Sequence, residues 1–114
     1  MGVAITLPTI GLILINVTLL VTGQILWKQS VAGGWLEAIA TPYFWIGLGL
    51  YGVATFIWLG VLRRMSLSIA YPLQALAYPA GVLASSLVLG ETPTTMRWVG
   101  VGVILLGVAL VATS

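Results

Sequence analysis

The sequence predicts an all-helical membrane protein with four transmembrane helices, on three observations. Of its 114 residues, 61% are hydrophobic and 5% are charged, whereas a soluble domain carries about 25% charged residues. The hydrophobic residues form four long runs, and each approaches the roughly 20 residues that cross a bilayer as a helix. These runs are continuous, unlike the alternating strands of about 10 residues in a membrane barrel. We therefore predict one four-helix transmembrane domain over residues 1–114.

The first two predicted spans cover about residues 5–28 and 43–62. Pro8 lies in the opening turn of the first span, where a missing backbone N–H is tolerated. The second span ends at Arg63 and Arg64, which are too polar for the hydrocarbon layer.

The third and fourth predicted spans cover about residues 67–89 and 96–112. Pro72 and Pro79 interrupt the third span, because each proline removes one helical hydrogen bond and loosens the preceding turn. The loops on either side of this span are short, so consecutive helices are expected to be antiparallel neighbours.

The composition excludes several classes of function. The sequence contains no Cys and no His, so the usual zinc sites, haem ligation by these residues and thiol nucleophiles are excluded, and no metal or cofactor is predicted. Its net charge of +2 is too small and too dispersed to indicate nucleic-acid binding. No activated nucleophile or acid–base pair is recognisable within the spans, so an enzyme is not predicted.

The basic residues leave the orientation in the membrane open. Lys28 and Arg97 belong to one side, and Arg63 and Arg64 belong to the other. This near balance permits insertion in both orientations and hence an antiparallel homodimer; alternatively, the Arg63-Arg64 pair fixes a single orientation.

Polar residues within the first span mark one face of that helix. Asn16, Gln24 and Lys28 are separated by eight and four residues, so at about 100° per residue they share a third of the circumference. Such residues face a cavity or a partner helix, because polar groups are costly in lipid. Alternatively, Asn16 and Gln24 bond neighbouring helices and Lys28 snorkels to the interface.

The third span is predicted to supply a cavity wall and a hinge. Tyr71 and Gln74 offer hydrogen-bonding groups beside Pro72 and Pro79, and the carbonyls freed by the prolines require a partner or water. The alternative is a kinked helix used only for packing.

The fourth span contains a stripe of small residues. Gly100 and Gly107 are seven residues apart and therefore share one face, which permits close approach of a second helix. The stripe is predicted to serve association, either within the bundle or across a dimer. Because four helices alone enclose a pathway poorly, we favour the dimer interface.

These features resemble the small multidrug resistance branch of the drug/metabolite transporter (EamA-like) superfamily. The similarity includes four helices in this length, Lys28 at the end of the first and Ile69-Ala70-Tyr71 in the third. The resemblance places Tyr51 and Tyr71 among the substrate-site aromatics. The cationic-drug exporters carry a glutamate eight residues before the lysine, where this sequence has Leu20, and a tryptophan where it has Gln74. The resemblance therefore does not imply proton-coupled drug export.

A closer resemblance is to the paired subunits that flip aminoarabinose-phosphoundecaprenol across the bacterial inner membrane. It extends over nearly the whole chain and rests on three segments, namely Gly23-Gln24 with Lys28-Gln29, Ile69-Ala70-Tyr71-Pro72, and the stretch from Glu91 to Trp98. It implies a multi-pass inner-membrane protein that works with a second four-helix subunit.

The resulting hypothesis is a flippase for a polyprenyl-phosphate-linked sugar, with Lys28 as the partner of the phosphate. The other predicted substrate contacts are Gln24, Asn16, Tyr51, Tyr71 and Gln74, with Arg63 and Arg64 collecting the anionic lipid at the surface. Two alternatives remain, an exporter of small cationic or neutral metabolites and a non-transporting assembly subunit.

Overall fold

A computed structural model describes residues 6–114. In that part of the chain, four helical segments are long and apolar enough to cross a bilayer, namely Leu7–Ser30, Pro42–Arg64, Leu67–Val88 and Thr95–Ala112. The predicted all-helical architecture with four spans is therefore confirmed. The first residue predicted for span one, Ile5, lies outside the described residues.

The first two spans are the uninterrupted helices α1 (Leu7–Ser30) and α2 (Pro42–Arg64). The loop between them contains a single 3-10 turn at Glu37–Ala40. The Thr41 hydroxyl caps α2 by accepting a hydrogen bond from the amide of Phe44 at 3.4 Å. Each helix continues two residues past the predicted end of its span, because helical hydrogen bonds can extend into the headgroup layer.

The third span is divided into α3 (Leu67–Gln74) and α4 (Ala77–Val88). The helix passes through Pro72 and breaks at residues 75–76, four residues before Pro79. Pro79 has no N–H for the Ala75 carbonyl, which instead accepts from the amide of Tyr78 at 3.0 Å. The sequence indicated an interruption at both prolines, and the structure places the break before the second.

The last helix, α5 (Thr95–Ala112), starts at a hydroxyl cap in which Thr94 accepts from the amide of Arg97 at 3.2 Å. Because the four spans alternate in direction, the end of α1, the first loop and the start of α5 lie on one side of the membrane. We refer to this side as the Lys28 face. The end of α2, with Arg63 and Arg64, lies on the opposite side.

The tightest contact in the fold joins α1 and α2, whereas α4 packs mainly on α1 and α3 packs mainly on α5. The buried core lies where these helices meet. Its fully buried apolar residues are Ile13, Val17, Val61, Met65, Ala70, Leu73 and Val108. No residue of α4 is buried, and in α5 only Val108 is, within the described part of the chain. Helix α5 therefore presents most of its surface to lipid or to another membrane segment, whereas most residues of α4 are partly covered.

The closest approach of α1 and α2 depends on two glycines. A Cβ atom on Gly47 would lie 2.8 Å from the Trp27 ring and 3.2 Å from the carbonyl oxygen of Gly23. A Cβ on Gly23 would in turn lie 3.4 Å from the carbonyl oxygen of Gly47. Small residues at a helix contact allow two backbones to pack directly against each other in a bilayer.

We expect Gly47→Ala to destabilise the protein, because the added methyl displaces the Trp27 ring. Overpacking of this kind costs about 1–3 kcal/mol, which exceeds the roughly 1 kcal/mol gained from replacing a helical glycine by alanine. Thermal unfolding in detergent, followed by far-UV circular dichroism, measures the change. Gly49→Ala is the matched control, since no neighbouring side chain or helix of residues 6–114 lies within 4 Å of its added Cβ, and we expect it to be neutral or stabilising. Equal stability of the two variants would contradict the packing argument.

Candidate functional site

A cavity of about 1040 Å³ lies between α1, α2, α3 and α4. This volume is at the upper end of the roughly 300–1,000 Å³ found for small-molecule sites. The structure brings five of the predicted substrate residues into its wall, namely Gln24, Lys28, Tyr51, Tyr71 and Gln74. They come from three separate helices, so the cavity is a product of the tertiary fold.

Helix α1 supplies the basic side of the cavity. Gln24 and Lys28 are one helical turn apart and therefore project on the same side. Both residues are exposed, and Lys28 lies in the last turn of the helix. The ammonium group is thus available at the Lys28 face of the cavity, with the amide of Gln24 one turn deeper.

Helix α2 supplies Tyr51, which is oriented by a neighbouring tryptophan. The rings of Trp27 and Tyr51 are stacked with their centroids 5.4 Å apart. The Trp27 indole is itself fixed, because its Nε1 donates a hydrogen bond to the carbonyl oxygen of Phe44 at 3.1 Å. The contact of Gly47 with Trp27 completes this support, so the position of Tyr51 depends on the close packing of α1 and α2.

Helix α3 supplies Tyr71 and Gln74 where its hydrogen-bond pattern changes. The amide of Ala75 donates to the Pro72 carbonyl, and the amide of Tyr78 donates to the Ala75 carbonyl, both at 3.0 Å. In a regular helix these two amides would serve the carbonyls of Tyr71 and Gln74. Two cavity-lining residues therefore lose their usual helical donors, and their carbonyls are available as additional acceptors.

Asn16 is not among the residues that line the larger cavity. It lines a second, smaller cavity of about 240 Å³, which shares Leu20, Tyr51, Tyr71 and Gln74 with the larger one. Its side chain is 1% exposed. The Asn16 amide donates to the Ala54 carbonyl at 2.8 Å and its oxygen accepts from Nε2 of Gln74 at 3.4 Å.

These contacts give Asn16 a definite structural role, because they join α1 to both α2 and α3. The amide group already has a partner for its donor and for its acceptor within the protein. By this network Asn16 orients Gln74 toward the larger cavity. Direct contact between Asn16 and a substrate stays a prediction.

Four predicted functional residues lie away from the cavity. Arg63 and Arg64 are exposed at the opposite membrane side and line neither cavity. Gly100 and Gly107 lie on α5, and no atom of the described chain lies within 4 Å of a Cβ built on either. Surface capture of lipid by the arginines and dimerisation through the glycines stay predictions.

The sequence interpretation missed one charged cavity residue, Glu91, which also lines the wall. Gly90 reverses the chain after α4 with a φ of +71°, and the Glu91 amide then donates to the Ser85 carbonyl at 3.1 Å. The alternation of spans does place Glu91 on the same membrane side as Lys28. Only the geometry of the turn shows that it reaches the cavity.

Comparison with known proteins identifies relatives over most of the chain. A protein of Pseudomonas savastanoi pv. phaseolicola is 34% identical over 92 residues, covering 75% of this chain and 81% of the relative. A protein of Pseudomonas fluorescens is 30% identical over 108 residues, covering 90% of this chain and 95% of the relative. A protein of Serratia proteamaculans is 30% identical over 107 residues, covering 89% of this chain and 93% of the relative.

All three relatives are named "Probable 4-amino-4-deoxy-L-arabinose-phosphoundecaprenol flippase subunit ArnE". No family model and no solved structure matches the chain. The extent of the matches and the four apolar helices agree with the closer resemblance proposed from the sequence. The chain belongs to the ArnE family of flippase subunits.

Proposed function

We propose that this protein is a subunit of a bacterial inner-membrane flippase that moves a polyprenyl-phosphate-linked sugar between leaflets. The observation that carries the proposal is the position of Lys28 at the end of a large cavity whose deeper wall offers neutral hydrogen-bonding groups. Leu20 lines the same cavity at the position where cationic-drug exporters carry a glutamate. This wall favours an anionic lipid headgroup over a proton-coupled cation.

Lys28 is proposed to bind the phosphodiester. An ammonium group is a compact point charge that suits a phosphate oxygen, and charge-assisted hydrogen bonds of this kind are stronger than neutral ones. A charged headgroup meets a large desolvation barrier in the hydrocarbon layer. Pairing the phosphate with Lys28 at the cavity entrance lowers that barrier because the ion pair carries no net charge.

The neutral lining is proposed to bind the sugar. The amides of Gln24 and Gln74 each offer donors and an acceptor, and the Tyr51 and Tyr71 hydroxyls add two further groups. Tyr71 is 64% exposed and Tyr78 is 67% exposed, so the cavity is open along its α3–α4 side. The polyprenyl chain can remain in the bilayer beside this opening while the headgroup occupies the cavity.

Movement is proposed to occur at the break between α3 and α4. Residues 75–76 are held by hydrogen bonds from each amide to the carbonyl three residues earlier, and helix breaks at proline absorb bending. Pro72 lies one turn before this break and loosens the same wall. The transport step is proposed to run downhill, driven by consumption of the headgroup on the far side.

A second four-helix subunit is proposed to complete the pathway, packed on the open α5 face that contains Gly100 and Gly107. The relatives are named as subunits, and most residues of α5 are exposed within the described part of the chain. The partner can be a second copy or an unlike chain. Arg63 and Arg64 are proposed to attract anionic lipid at the other membrane side.

The test is a flipping assay with the purified protein in liposomes that contain undecaprenyl-phosphate-linked aminoarabinose. An impermeant amine reagent reports the headgroup in the outer leaflet, and we expect faster exposure of inner-leaflet lipid than in protein-free liposomes. Native mass spectrometry of the protein in nanodiscs measures binding of the same lipid. Transport of a soluble metabolite without lipid binding would instead identify an exporter. A protein that neither binds the lipid nor moves any solute would instead be an assembly subunit.

A further inference from the structure

The large cavity contains two opposite charges at its entrance. Among the described residues that line it, Lys28 and Glu91 are the charged ones, and every other lining residue is neutral. Lys28 belongs to the last turn of α1, and Glu91 follows the turn at Gly90 after α4. Both therefore lie on the Lys28 face.

Both charges are available to a ligand. Within residues 6–114, neither side chain forms a hydrogen bond or an ion pair, and both are exposed. The Glu91 backbone is nevertheless fixed, because its amide donates to the Ser85 carbonyl at 3.1 Å. A carboxylate on a fixed turn, facing a cavity that also holds a free ammonium, fits a ligand that carries both a cation and an anion.

We propose that Glu91 binds a primary ammonium group on the headgroup while Lys28 binds its phosphodiester, so that the cavity selects a zwitterionic lipid-linked amino sugar. This inference rests on the proposed function and adds a specificity residue to it. With both pairs formed, the loaded cavity carries no net charge. A lipid with only the phosphodiester would leave Glu91 without a counter-charge in a partly desolvated site, which disfavours its binding.

Two kinds of membrane lipid share this chemistry, an amino sugar on a polyprenyl phosphate and phosphatidylethanolamine. We commit to the amino sugar because the wall behind the two charges contains the side-chain amides of Gln24 and Gln74. Amides of this kind match the hydroxyl groups of a sugar. The headgroup of phosphatidylethanolamine has no free hydroxyl group, because the ethanolamine oxygen is esterified to the phosphate.

The decisive experiment compares two lipids that differ only at the amine. Nanodiscs containing the wild-type protein are titrated with undecaprenyl-phosphate-linked aminoarabinose and with its N-acetylated form, which has no positive charge. We expect the wild type to bind the free amine about tenfold more tightly or better. In Glu91→Gln this preference is expected to disappear, because the free-amine lipid loses its partner and binds more weakly, while the acetylated lipid no longer faces an unpaired carboxylate and binds as tightly as before or more tightly.

Glu37→Gln is the matched control, since Glu37 is exposed in the first loop on the same membrane side and lies outside the cavity wall. It removes the same charge from the same interface and is expected to retain the wild-type preference. A preference lost in both variants would indicate a general surface-charge effect and would overturn the assignment.

The other outcomes separate this inference from the proposed function. Retention of the amine preference in Glu91→Gln, or equal weakening of both lipids, overturns the Glu91 assignment but leaves the flippase proposal intact. Binding of neither lipid to the wild type overturns the flippase proposal itself. A last comparison sets phosphatidylethanolamine against phosphatidylcholine as competitors in the nanodisc. If phosphatidylethanolamine displaces the amino-sugar lipid more effectively, and Glu91→Gln abolishes the difference, the preferred lipid is phosphatidylethanolamine and the amino-sugar assignment is wrong.

Discussion

Lys28→Ala is expected to slow headgroup translocation by about 10–100-fold, because a hydrogen bond to a charged group contributes roughly 1.5–3 kcal/mol. Lys28 is the basic residue of the cavity wall, so no neighbouring cation in that wall replaces it. The side chain is exposed and lies outside the buried core. The variant is therefore expected to fold and insert normally, and the loss is measured in the liposome flipping assay.

Two further substitutions show whether the charge itself is responsible. Lys28→Arg keeps a cation in the cavity and is expected to retain most of the activity, although guanidinium and ammonium geometries differ. Arg97→Ala removes a positive charge from the same membrane side at a residue that does not line the cavity, and it is expected to leave flipping unchanged. Full translocation by Lys28→Ala, or equal losses in Lys28→Ala and Arg97→Ala, would remove the phosphate assignment.

The four spans were predictable because hydrophobic length alone determines whether a helix crosses a bilayer. The helix ends were less predictable. The apolar run of the first span stops before Lys28, but α1 continues to Ser30, since backbone hydrogen bonding extends beyond the hydrocarbon boundary. In the third span the two prolines indicated a weak point. Their different effects became visible only in the hydrogen-bond pattern around Ala75.

The cavity was partly predictable from helical spacing. Gln24 and Lys28 are one turn apart, so the sequence predicts that they share one face, and both line the cavity in the structure. The role of Asn16 depends on which backbone packs opposite it. The Ala54 carbonyl accepts a hydrogen bond from the Asn16 amide, and the Gln74 amide donates one to its oxygen. The Asn16 side chain therefore contributes to helix association as well as to the wall of the smaller cavity.

The residues that could not be predicted depend on tertiary geometry. Glu91 reaches the cavity through the positive φ of Gly90, which the sequence allows but does not specify. The orientation of Tyr51 depends on its stack with Trp27, and Trp27 depends on the space left by Gly47. In both examples a small residue determines where a functional side chain lies.

Pro79→Ala is expected to slow flipping by removing the break between α3 and α4. Alanine restores the N–H that the Ala75 carbonyl lacks in a regular helix, so α3 and α4 are expected to join into one continuous helix. An added backbone hydrogen bond of roughly 1 kcal/mol, together with relief of the proline clash, opposes bending at residues 75–76. We expect about tenfold slower flipping, with unchanged or higher thermal stability, because bending of this helix accompanies passage of the headgroup.

Opposite changes in stability and rate would distinguish a hinge from a packing role. Pro42→Ala is the matched control, because Pro42 occupies the first turn of α2, where the missing N–H has no helical partner in any sequence. This control is expected to flip lipid at the wild-type rate. Binding of the headgroup lipid should be similar in all three proteins, since Pro79→Ala leaves Lys28 and Gln24 in place. A Pro79→Ala variant that is more stable and equally fast would show that the break is not a moving part, whereas loss of both stability and binding would show that it only shapes the cavity wall.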